Sequence, residues 1–152
     1  MQEMTATLEW QTDKQFQGTT GTQHSVMLDG NRDTNLGASP MELVLMGMGG
    51  CSAYDVVHIL GKSRQNVTKC VTQLTAQRAA DVPQVFTHIH IHFIVAGAGL
   101  SEDKVARAVE LSAEKYCSAS IMLGRGGVEI THGYEVVAGN SIPETNQEAT
   151  RQ

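Results

Sequence analysis

The chain has 152 residues, of which 41% are hydrophobic and 18% charged, and its formal net charge is −5 at pH 7. This length and composition are typical of one soluble globular domain with a sizeable core. The net negative charge gives no general attraction to nucleic acid or to an anionic membrane surface. The three cysteines lack close spacing, which argues against a secreted disulfide framework and favours a cytoplasmic protein with reduced thiols.

The first part of the sequence predicts three short strands and then a loop. Weak alternation of apolar and polar residues predicts strands over 5–10, 14–17 and 24–28. The segment DGNRDTNLGASP, residues 29–40, has the composition of a loop. The N-terminal residues lead directly into the first predicted strand, so we expect no signal peptide.

A long apolar helix is predicted over residues 40–60. Ser39 can cap it, the following proline suits its first position, and Glu42 lies where the helix dipole favours a negative charge. Gly61 is the predicted stop. The segment is as long as a membrane span, but mid-span acidic residues such as Asp55 are costly in lipid. We therefore predict a buried central helix of a soluble protein, covered on most of its sides.

The second half predicts three more strands and one more helix. The strands are expected over 67–76, 85–96 and 128–137, and Ser101 caps a helix that ends near Cys117 or shortly beyond. The resulting order β-β-β-α-β-β-α-β indicates an α+β domain over residues 1–138, with two helices on an antiparallel-rich sheet. Residues 139–152 form a polar tail that we expect to be frayed or disordered.

Two cysteines in apolar, helix-like stretches are the main candidates for chemistry. Cys51 lies in MGMGGCSAYDVV and Cys117 in AEKYCSASIML. If they meet in space, they form a thiol pair; alternatively, each is a small buried hydrophobe, and Cys51 fills a gap beside a helix crossing at Gly47 and Gly50. A cysteine near a helix C-terminus has no help from the dipole in forming a thiolate, so Cys117 suits a resolving thiol. Cys70 is interpreted as a packing residue.

Other ionisable residues have both functional and structural explanations. The imidazoles of His88, His90 and His92 share one strand face and could bind a metal, but neighbouring Cα atoms in the row are about 6.5–7 Å apart. A solvated or interfacial face is favoured, and no metal or other cofactor is predicted. Asp55 lies one helical turn after Cys51, where an anion opposes thiolate formation unless a cation such as Arg32 or Lys115 pairs with it.

The start SPMELVL of the long helix, its Cys51, and Cys117 after Glu-Lys-Tyr together resemble the OsmC/Ohr family, named for osmotically inducible protein C and organic hydroperoxide resistance. The resemblance runs from about residue 4 to residue 138 and is strongest for the YhfA-like branch. It implies an OsmC-like fold and an intertwined homodimer in which long central helices pack together. It also implies an antioxidant thiol peroxidase of the stress response. Cys51 would attack an organic hydroperoxide, Cys117 would resolve the sulfenic acid as a disulfide, and a dithiol reductant, lipoyl-linked in some relatives, would restore the pair.

One departure from the family pattern leaves two hypotheses open. In the peroxidase branches the residue after the proline is a catalytic glutamate, whereas here it is Met41, and Glu42 follows, rotated by about 100°. Arg32 is the available match for the activating arginine. The first hypothesis is a peroxidase whose apolar surroundings favour alkyl or fatty-acyl peroxides; these residues are Met46, Met48, Tyr54, Ile121 and Met122. The second is a non-enzymatic OsmC-fold protein that binds an apolar small molecule in the dimer groove.

Overall fold

Six strands and three α-helices form in the described residues, 1–139 and 142, of a computed structural model. The strands are β1 (Ala6–Thr12), β2 (Gln15–Thr20), β3 (Ser25–Asp29), β4 (Val67–Arg78), β5 (Phe86–Gly97) and β6 (Glu129–Ala138). The helices are α1 (Pro40–Lys62), α2 (Glu102–Leu111) and α3 (Ser118–Arg125), and a π-helical turn, Ser112–Tyr116, joins α2 to α3. The α+β class and the predicted strand order are confirmed.

The chain divides into two compact units, Met1–Met46 and Gly47–Gln152. The prediction of a single domain over residues 1–138 stays a prediction. The predicted tail, residues 139–152, lies outside the described residues except at Gly139 and Ile142.

The first unit contains an antiparallel meander and an ordered loop. Strand β2 pairs with both β1 and β3. The carboxylate of Asp29 organises the loop after β3, because it accepts hydrogen bonds from the Thr34 hydroxyl at 2.7 Å and from the backbone N–H groups of Asn31 and Leu36. These bonds, that of Thr34 foremost, lower the pKa of Asp29. The loop that carries Arg32 is therefore held by its own side chains.

The α1 helix begins as predicted and ends slightly later. Ser39 and Glu42 form a capping box: the Ser39 backbone N–H donates to the Glu42 carboxylate at 2.7 Å, and the Glu42 N–H donates to the Ser39 hydroxyl at 3.3 Å. The predicted stop at Gly61 is wrong, because the helix continues through Gly61 to Lys62, two residues beyond its predicted end at about Leu60. The left-handed residue after its end is Arg64, with φ 58°.

The prediction that α1 is covered on most sides is wrong for the single chain. One face of α1 is buried and consists of Met48, Gly49, Ser52, Val56 and Leu60. The other face exposes large apolar side chains, with Met46 64% and Tyr54 69% accessible. By length and composition α1 resembles a membrane span, with a mean hydropathy of 1.5 over an 18-residue window of which 28% is buried, although core helices of soluble proteins pass the same test.

The second unit is built around strand β5, which pairs antiparallel with β4 and parallel with β6. Side chains alternate across a strand, so one face of β5 contributes Ile91, Phe93 and Val95 to the core. Residues of two helices complete that core: Val56 and Leu60 of α1, and Val105, Ala108 and Val109 of α2. This packing holds α1 and α2 against the same sheet face.

Two details of the predicted architecture are corrected. The strands form two three-stranded sheets, β1-β2-β3 and β4-β5-β6, where one sheet was expected. The second predicted helix is interrupted: α2 starts after the predicted cap Ser101, then widens into the π-helical turn, and Cys117 caps a separate helix, α3. The Cys117 N–H closes the turn by donating to the Ser112 carbonyl at 2.9 Å.

Candidate functional site

Cys51 and Cys117 meet in the second unit. Both are free thiols, and their sulfur atoms, together with a carboxylate oxygen of Asp55, all lie within 4.8 Å of one another. Cys51 projects from α1, and Cys117 lies at the junction between the π-helical turn and α3. Cys51 is half-buried, whereas Cys117 is 0% exposed. The pair therefore combines a half-buried cysteine with a fully buried one.

The sulfur of Cys117 accepts two hydrogen bonds. The buried Ser52 hydroxyl donates at 3.0 Å, and the Ser120 backbone N–H donates at 3.4 Å from the first turn of α3. Burial nevertheless raises the pKa of the Cys117 thiol, since desolvation and the neighbouring Cys51 outweigh these two donors. Cys117 is therefore held as a thiol at neutral pH. The prediction that it lies near a helix C-terminus is wrong, because it stands at the N-terminus of α3.

Asp55 is the third member of the group. Its Oδ2 atom accepts a hydrogen bond from the Ser112 hydroxyl at 3.3 Å, and Ser112 also lies 3.4 Å from the Ser52 carbonyl. Burial raises the pKa of Asp55, while the Ser112 hydrogen bond and the charge of His58 oppose the shift. The described contacts thus link Asp55 to a hydroxyl, where the sequence suggested Arg32 or Lys115.

A close approach between α1 and strand β4 fixes the position of Cys51. A Cβ atom added at Gly49 would lie 2.5 Å from Leu74 Cδ1, so only glycine fits there without a shift. Added at Gly47 or Gly50, it would meet nothing within 4 Å in this chain. The sequence suggested a tight crossing at Gly47 and Gly50, whereas the tight contact lies at Gly49.

A cavity of about 410 Å³ adjoins the group on its Asp55 side. Its lining combines apolar side chains with Lys62 and His58; the full set is Asp55, His58, Ile59, Lys62, Ser63, Leu111 and Tyr116. None of these except Asp55 was singled out with the cysteines from sequence. Of the predicted apolar lining, Met48 is fully buried, and Met46, Tyr54 and Met122 are exposed.

The comparisons with known proteins identify the family of the chain. The model of a protein family described as "OsmC-like protein" matches residues 30–133, more than half of the chain. The chain belongs to the OsmC-like family. It is 51% identical over 135 residues to protein YhfA of Escherichia coli K12, covering 89% of this chain and 99% of that protein. The resemblance found in the sequence, including the YhfA-like branch, is confirmed.

Solved structures share the OsmC-like fold. A hypothetical protein from Aquifex aeolicus VF5 has a TM-score of 0.82 at 29% identity, with 91% of this chain and 99% of that chain covered. An OsmC protein of Legionella pneumophila, described as an organic hydroperoxide resistance protein and a predicted redox protein, has a TM-score of 0.69. At 16% identity, over 90% of this chain and 98% of that chain, this second likeness shows the fold alone.

Glu42 and Arg32, the other predicted site residues of this OsmC-like protein, lie in the first unit. The Glu42 carboxylate accepts the Ser39 backbone N–H, and this bond, followed by the Ser39 hydroxyl, lowers the pKa of Glu42. The positive charge of Arg32 also lowers the pKa of Glu42. The described contacts of Glu42 are those of a helix cap, and a part for either residue in cysteine chemistry stays a prediction.

The histidine row lies on the face of β5 opposite Ile91 and Phe93, and the same face carries Ile94 and Ala96 of a smaller core cluster. His88 pairs with Glu129 at 3.1 Å, His90 Nδ1 lies 2.7 Å from the Thr131 hydroxyl, and His92 lies 3.8 Å from Glu135. His88 and His90 are exposed and His92 is half-buried, which fits the favoured solvated face. Each ring thus has a polar neighbour on strand β6.

Cys70 and two buried serines lie in the second unit with the cysteine-aspartate group. Cys70 packs half-buried against the core of the second unit, and burial raises the pKa of its thiol. Sequence reasoning missed Ser52 and Ser112, although both are buried and contact the cysteine-aspartate group. The one available signal was that Ser52 follows Cys51 in an otherwise apolar helix.

Proposed function

We propose that this protein is a thiol-dependent peroxidase that reduces organic hydroperoxides through Cys51 and Cys117. The observation that carries the proposal is the asymmetry of the pair. Cys51 is half-buried, Cys117 is fully buried, and their sulfur atoms lie within 4.8 Å of each other. An attacking thiol must be reached by peroxide, whereas a resolving thiol needs only to reach its partner.

The chemistry balances in two steps. The Cys51 thiolate attacks one peroxide oxygen, the O–O bond breaks, and the departing alkoxide takes a proton and leaves as an alcohol. Cys51 becomes a sulfenic acid. The Cys117 sulfur then attacks the Cys51 sulfur, a disulfide forms, and the sulfenic hydroxyl leaves as water with the proton lost by Cys117. A dithiol reductant, lipoyl-linked as the family resemblance implies for some relatives, returns both electrons by thiol-disulfide exchange.

The substrate is proposed to be an apolar hydroperoxide of the cytoplasm. The cavity beside Asp55 offers Ile59, Leu111 and Tyr116 to an alkyl chain. The Legionella protein that shares the fold is described as an organic hydroperoxide resistance protein, which supports this choice of substrate class. In the same proposal Arg32 and Glu42 assist the attack, as the family pattern implies.

The working form is proposed to be a homodimer in which the exposed face of α1 packs against its copy. That face carries Tyr54 and Val57 beside Gly47 and Gly50, where an added Cβ meets nothing in this chain. Large exposed apolar patches commonly mark protein interfaces. Glycines allow helix backbones to approach closely, which supports a helix-to-helix contact there.

Peroxide consumption by single-cysteine variants tests the proposed function. With an organic hydroperoxide and a dithiol reductant in excess, Cys51→Ser should reduce turnover to the rate of the reductant alone. Cys70→Ser removes a thiol outside the pair and serves as the matched control, with turnover unchanged. Undiminished turnover in Cys51→Ser would exclude this mechanism.

A second function, non-enzymatic binding of an apolar small molecule, is favoured by one observation. The Glu42 carboxylate is bound to the Ser39 backbone at 2.7 Å, as in a helix cap, and Met41 occupies the position of the family's catalytic glutamate. A binding protein would consume peroxide no faster than free thiol, and an apolar ligand would raise its melting temperature. The two assays on one preparation separate the functions.

A further inference from the structure

We propose that the reduced protein binds one zinc ion through Cys51, Cys117 and Asp55. The peroxidase chemistry uses the two sulfur atoms but gives the Asp55 carboxylate no part. An aspartate beside two thiols is unfavourable for thiolate formation, so its presence at this position calls for another explanation. Two sulfur ligands and one oxygen ligand make a donor set that zinc accepts.

The geometry suits a tetrahedral ion. Zinc binds sulfur at about 2.3 Å and carboxylate oxygen at about 2.0–2.2 Å, so the sulfurs around it are about 3.8 Å apart and a sulfur and oxygen about 3.6 Å apart. The three ligand atoms here already lie within 4.8 Å of one another. Contraction by at most about 1.0 Å between the sulfurs and about 1.2 Å between sulfur and oxygen, within reach of side-chain rotation, would complete the three-ligand arrangement.

Neighbouring hydroxyls hold two of the three ligands. Ser112 donates to Asp55 Oδ2 at 3.3 Å, and Ser52 donates to the Cys117 sulfur at 3.0 Å. Hydrogen bonds of this kind orient metal ligands and are a regular part of zinc sites. Cys51 and Asp55 lie one turn apart on α1, so a single rigid helix supplies two of the three ligands.

The charge and the exposure of the group define the kind of site. Two thiolates and a carboxylate bring three negative charges to a divalent cation, and sulfur ligands favour zinc over magnesium or calcium. Within the described part of the chain, the group has three protein ligands. Since Cys51 is half-buried, the fourth position is open to water, as in zinc sites that are not purely structural.

Zinc at this position would switch off peroxide reduction. A sulfur bonded to zinc cannot attack a hydroperoxide as a free thiolate, and the Cys51–Cys117 disulfide cannot form while both sulfurs are ligands. The zinc proposal shares its two sulfurs with the proposed peroxidase but does not depend on peroxide reduction. Binding and turnover are therefore measured separately.

The test is zinc titration of the full-length, reduced, metal-free protein against a chromophoric chelator. We expect one zinc per chain, loss of binding in Cys51→Ser and Cys117→Ser, and affinity at least about tenfold weaker in Asp55→Asn. Cys70→Ser is the matched control and should bind as the unaltered protein does. Cobalt(II) in a parallel titration should give a sulfur-to-cobalt charge-transfer band in the unaltered protein, which reports thiolate ligands without any substitution.

The outcomes separate the two proposals. Absence of stoichiometric zinc and of the cobalt band would overturn the zinc site, even if the metal-free protein reduces peroxide. Undiminished affinity in Asp55→Asn, or loss of binding in Cys70→Ser, would overturn the assignment of these three ligands. One zinc per chain in a protein that, once metal-free, does not reduce peroxide would support the site and refute the peroxidase.

Discussion

The Ser52 hydroxyl donates a hydrogen bond to the sulfur of Cys117, 3.0 Å away, from the position directly after Cys51 in α1. Ser52 is therefore adjacent in sequence to one cysteine and bonded to the other. Its hydrogen bond is among the contacts that lower the pKa of Cys117 against the larger effect of burial. The resolving step of the proposed reaction depends on how readily this sulfur releases its proton.

Ser52→Ala should slow resolution and leave the first attack by Cys51 intact. Loss of a hydrogen bond of about 1 kcal/mol to the Cys117 sulfur raises the pKa of its thiol further and lowers the rate of disulfide formation roughly fivefold at neutral pH. Decay of the Cys51 sulfenic acid after one equivalent of hydroperoxide measures this rate. Ser118→Ala, at an exposed serine beside Cys117, is the control. A rate in Ser52→Ala equal to that control would contradict the role assigned to Ser52.

Asp55 should make stability fall as the pH rises through the acidic range. Because burial raises the pKa of Asp55, the folded protein binds its proton more tightly than the unfolded chain does. This contribution is fully present below the ordinary pKa of an aspartate and is lost as the pH rises through the higher folded pKa. Asp55→Asn cannot ionise at this position. Its unfolding free energy should therefore rise relative to that of the unaltered protein as the pH goes from strongly acidic to neutral. The gain should not exceed about 1 kcal/mol, since partial exposure screens the charge.

Urea unfolding of Asp55→Asn and of the unaltered protein across that pH range gives the difference between their unfolding free energies directly. Subtraction removes the contributions of the other carboxylates, which the two proteins share. Asp81→Asn, at an exposed loop aspartate, is the control for the loss of one carboxylate. A constant difference between Asp55→Asn and the unaltered protein at every pH would mean that Asp55 titrates as it does in the unfolded chain.

Two neighbouring glycines of α1 should respond in opposite ways to alanine. Gly49→Ala places a methyl group 2.5 Å from Leu74 Cδ1, and the shift it forces costs about 1–3 kcal/mol, of which the better helix former offsets about 1 kcal/mol; the net effect should be a lower unfolding free energy at any protein concentration. In Gly47→Ala the added methyl group has no neighbour within 4 Å in this chain. Because alanine is a better helix former than glycine, the substitution should stabilise the monomer by up to about 1 kcal/mol. If α1 packs on its copy, the same methyl group should weaken the homodimer.

Urea unfolding at high and low protein concentration, with sedimentation equilibrium, distinguishes these effects. We expect a lower unfolding free energy in Gly49→Ala and a larger dimer dissociation constant in Gly47→Ala. Gly61→Ala, also without a neighbour within 4 Å but at the far end of the helix, controls for helix propensity. Equal dissociation constants in the Gly47 and Gly61 variants would argue against a contact at Gly47.

Strong local patterns in the sequence were sufficient for most of the elements, whereas the meeting of the two cysteines was expected from the resemblance to the OsmC/Ohr family. Alternation marked β5, and the apolar run with its Ser39 and Glu42 cap marked α1. The break before Cys117 was missed, since the apolar spacing of α2 continues and neither glycine nor proline marks the π-helical turn. The turn depends on contacts between elements, such as that of the Ser112 hydroxyl with Asp55, which local pattern does not encode.

The same limit applies to the details of the site. Helical periodicity places Asp55 on the face of Cys51 but does not say which neighbour it meets from another element. It also cannot tell which glycine of the MGMGGC segment faces a neighbouring strand, because that depends on the rotation of α1 against β4. Gly49 contacts Leu74 for this reason, while the glycines on either side remain open in the chain.

Oxidation should join Cys51 to Cys117 within one chain. Their sulfur atoms lie within 4.8 Å and must approach to about 2.05 Å in a disulfide, a movement of less than about 3 Å. After one equivalent of organic hydroperoxide, peptide mass analysis without reductant should find this disulfide and a reduced Cys70, which belongs to the half-buried packing around the core. Cys117→Ser should instead stop at a Cys51 sulfenic acid that a dimedone-type reagent traps.

The trapping experiment also decides which cysteine attacks. Cys51 is the half-buried sulfur and Cys117 the buried one, so the trapped product should be on Cys51 in Cys117→Ser and absent from Cys117 in Cys51→Ser. Cys70→Ser should form the disulfide at the unaltered rate. A sulfenic acid on Cys117 in Cys51→Ser would reverse the assignment, because peroxide would then reach the sulfur that lies beneath Ser52 and α3.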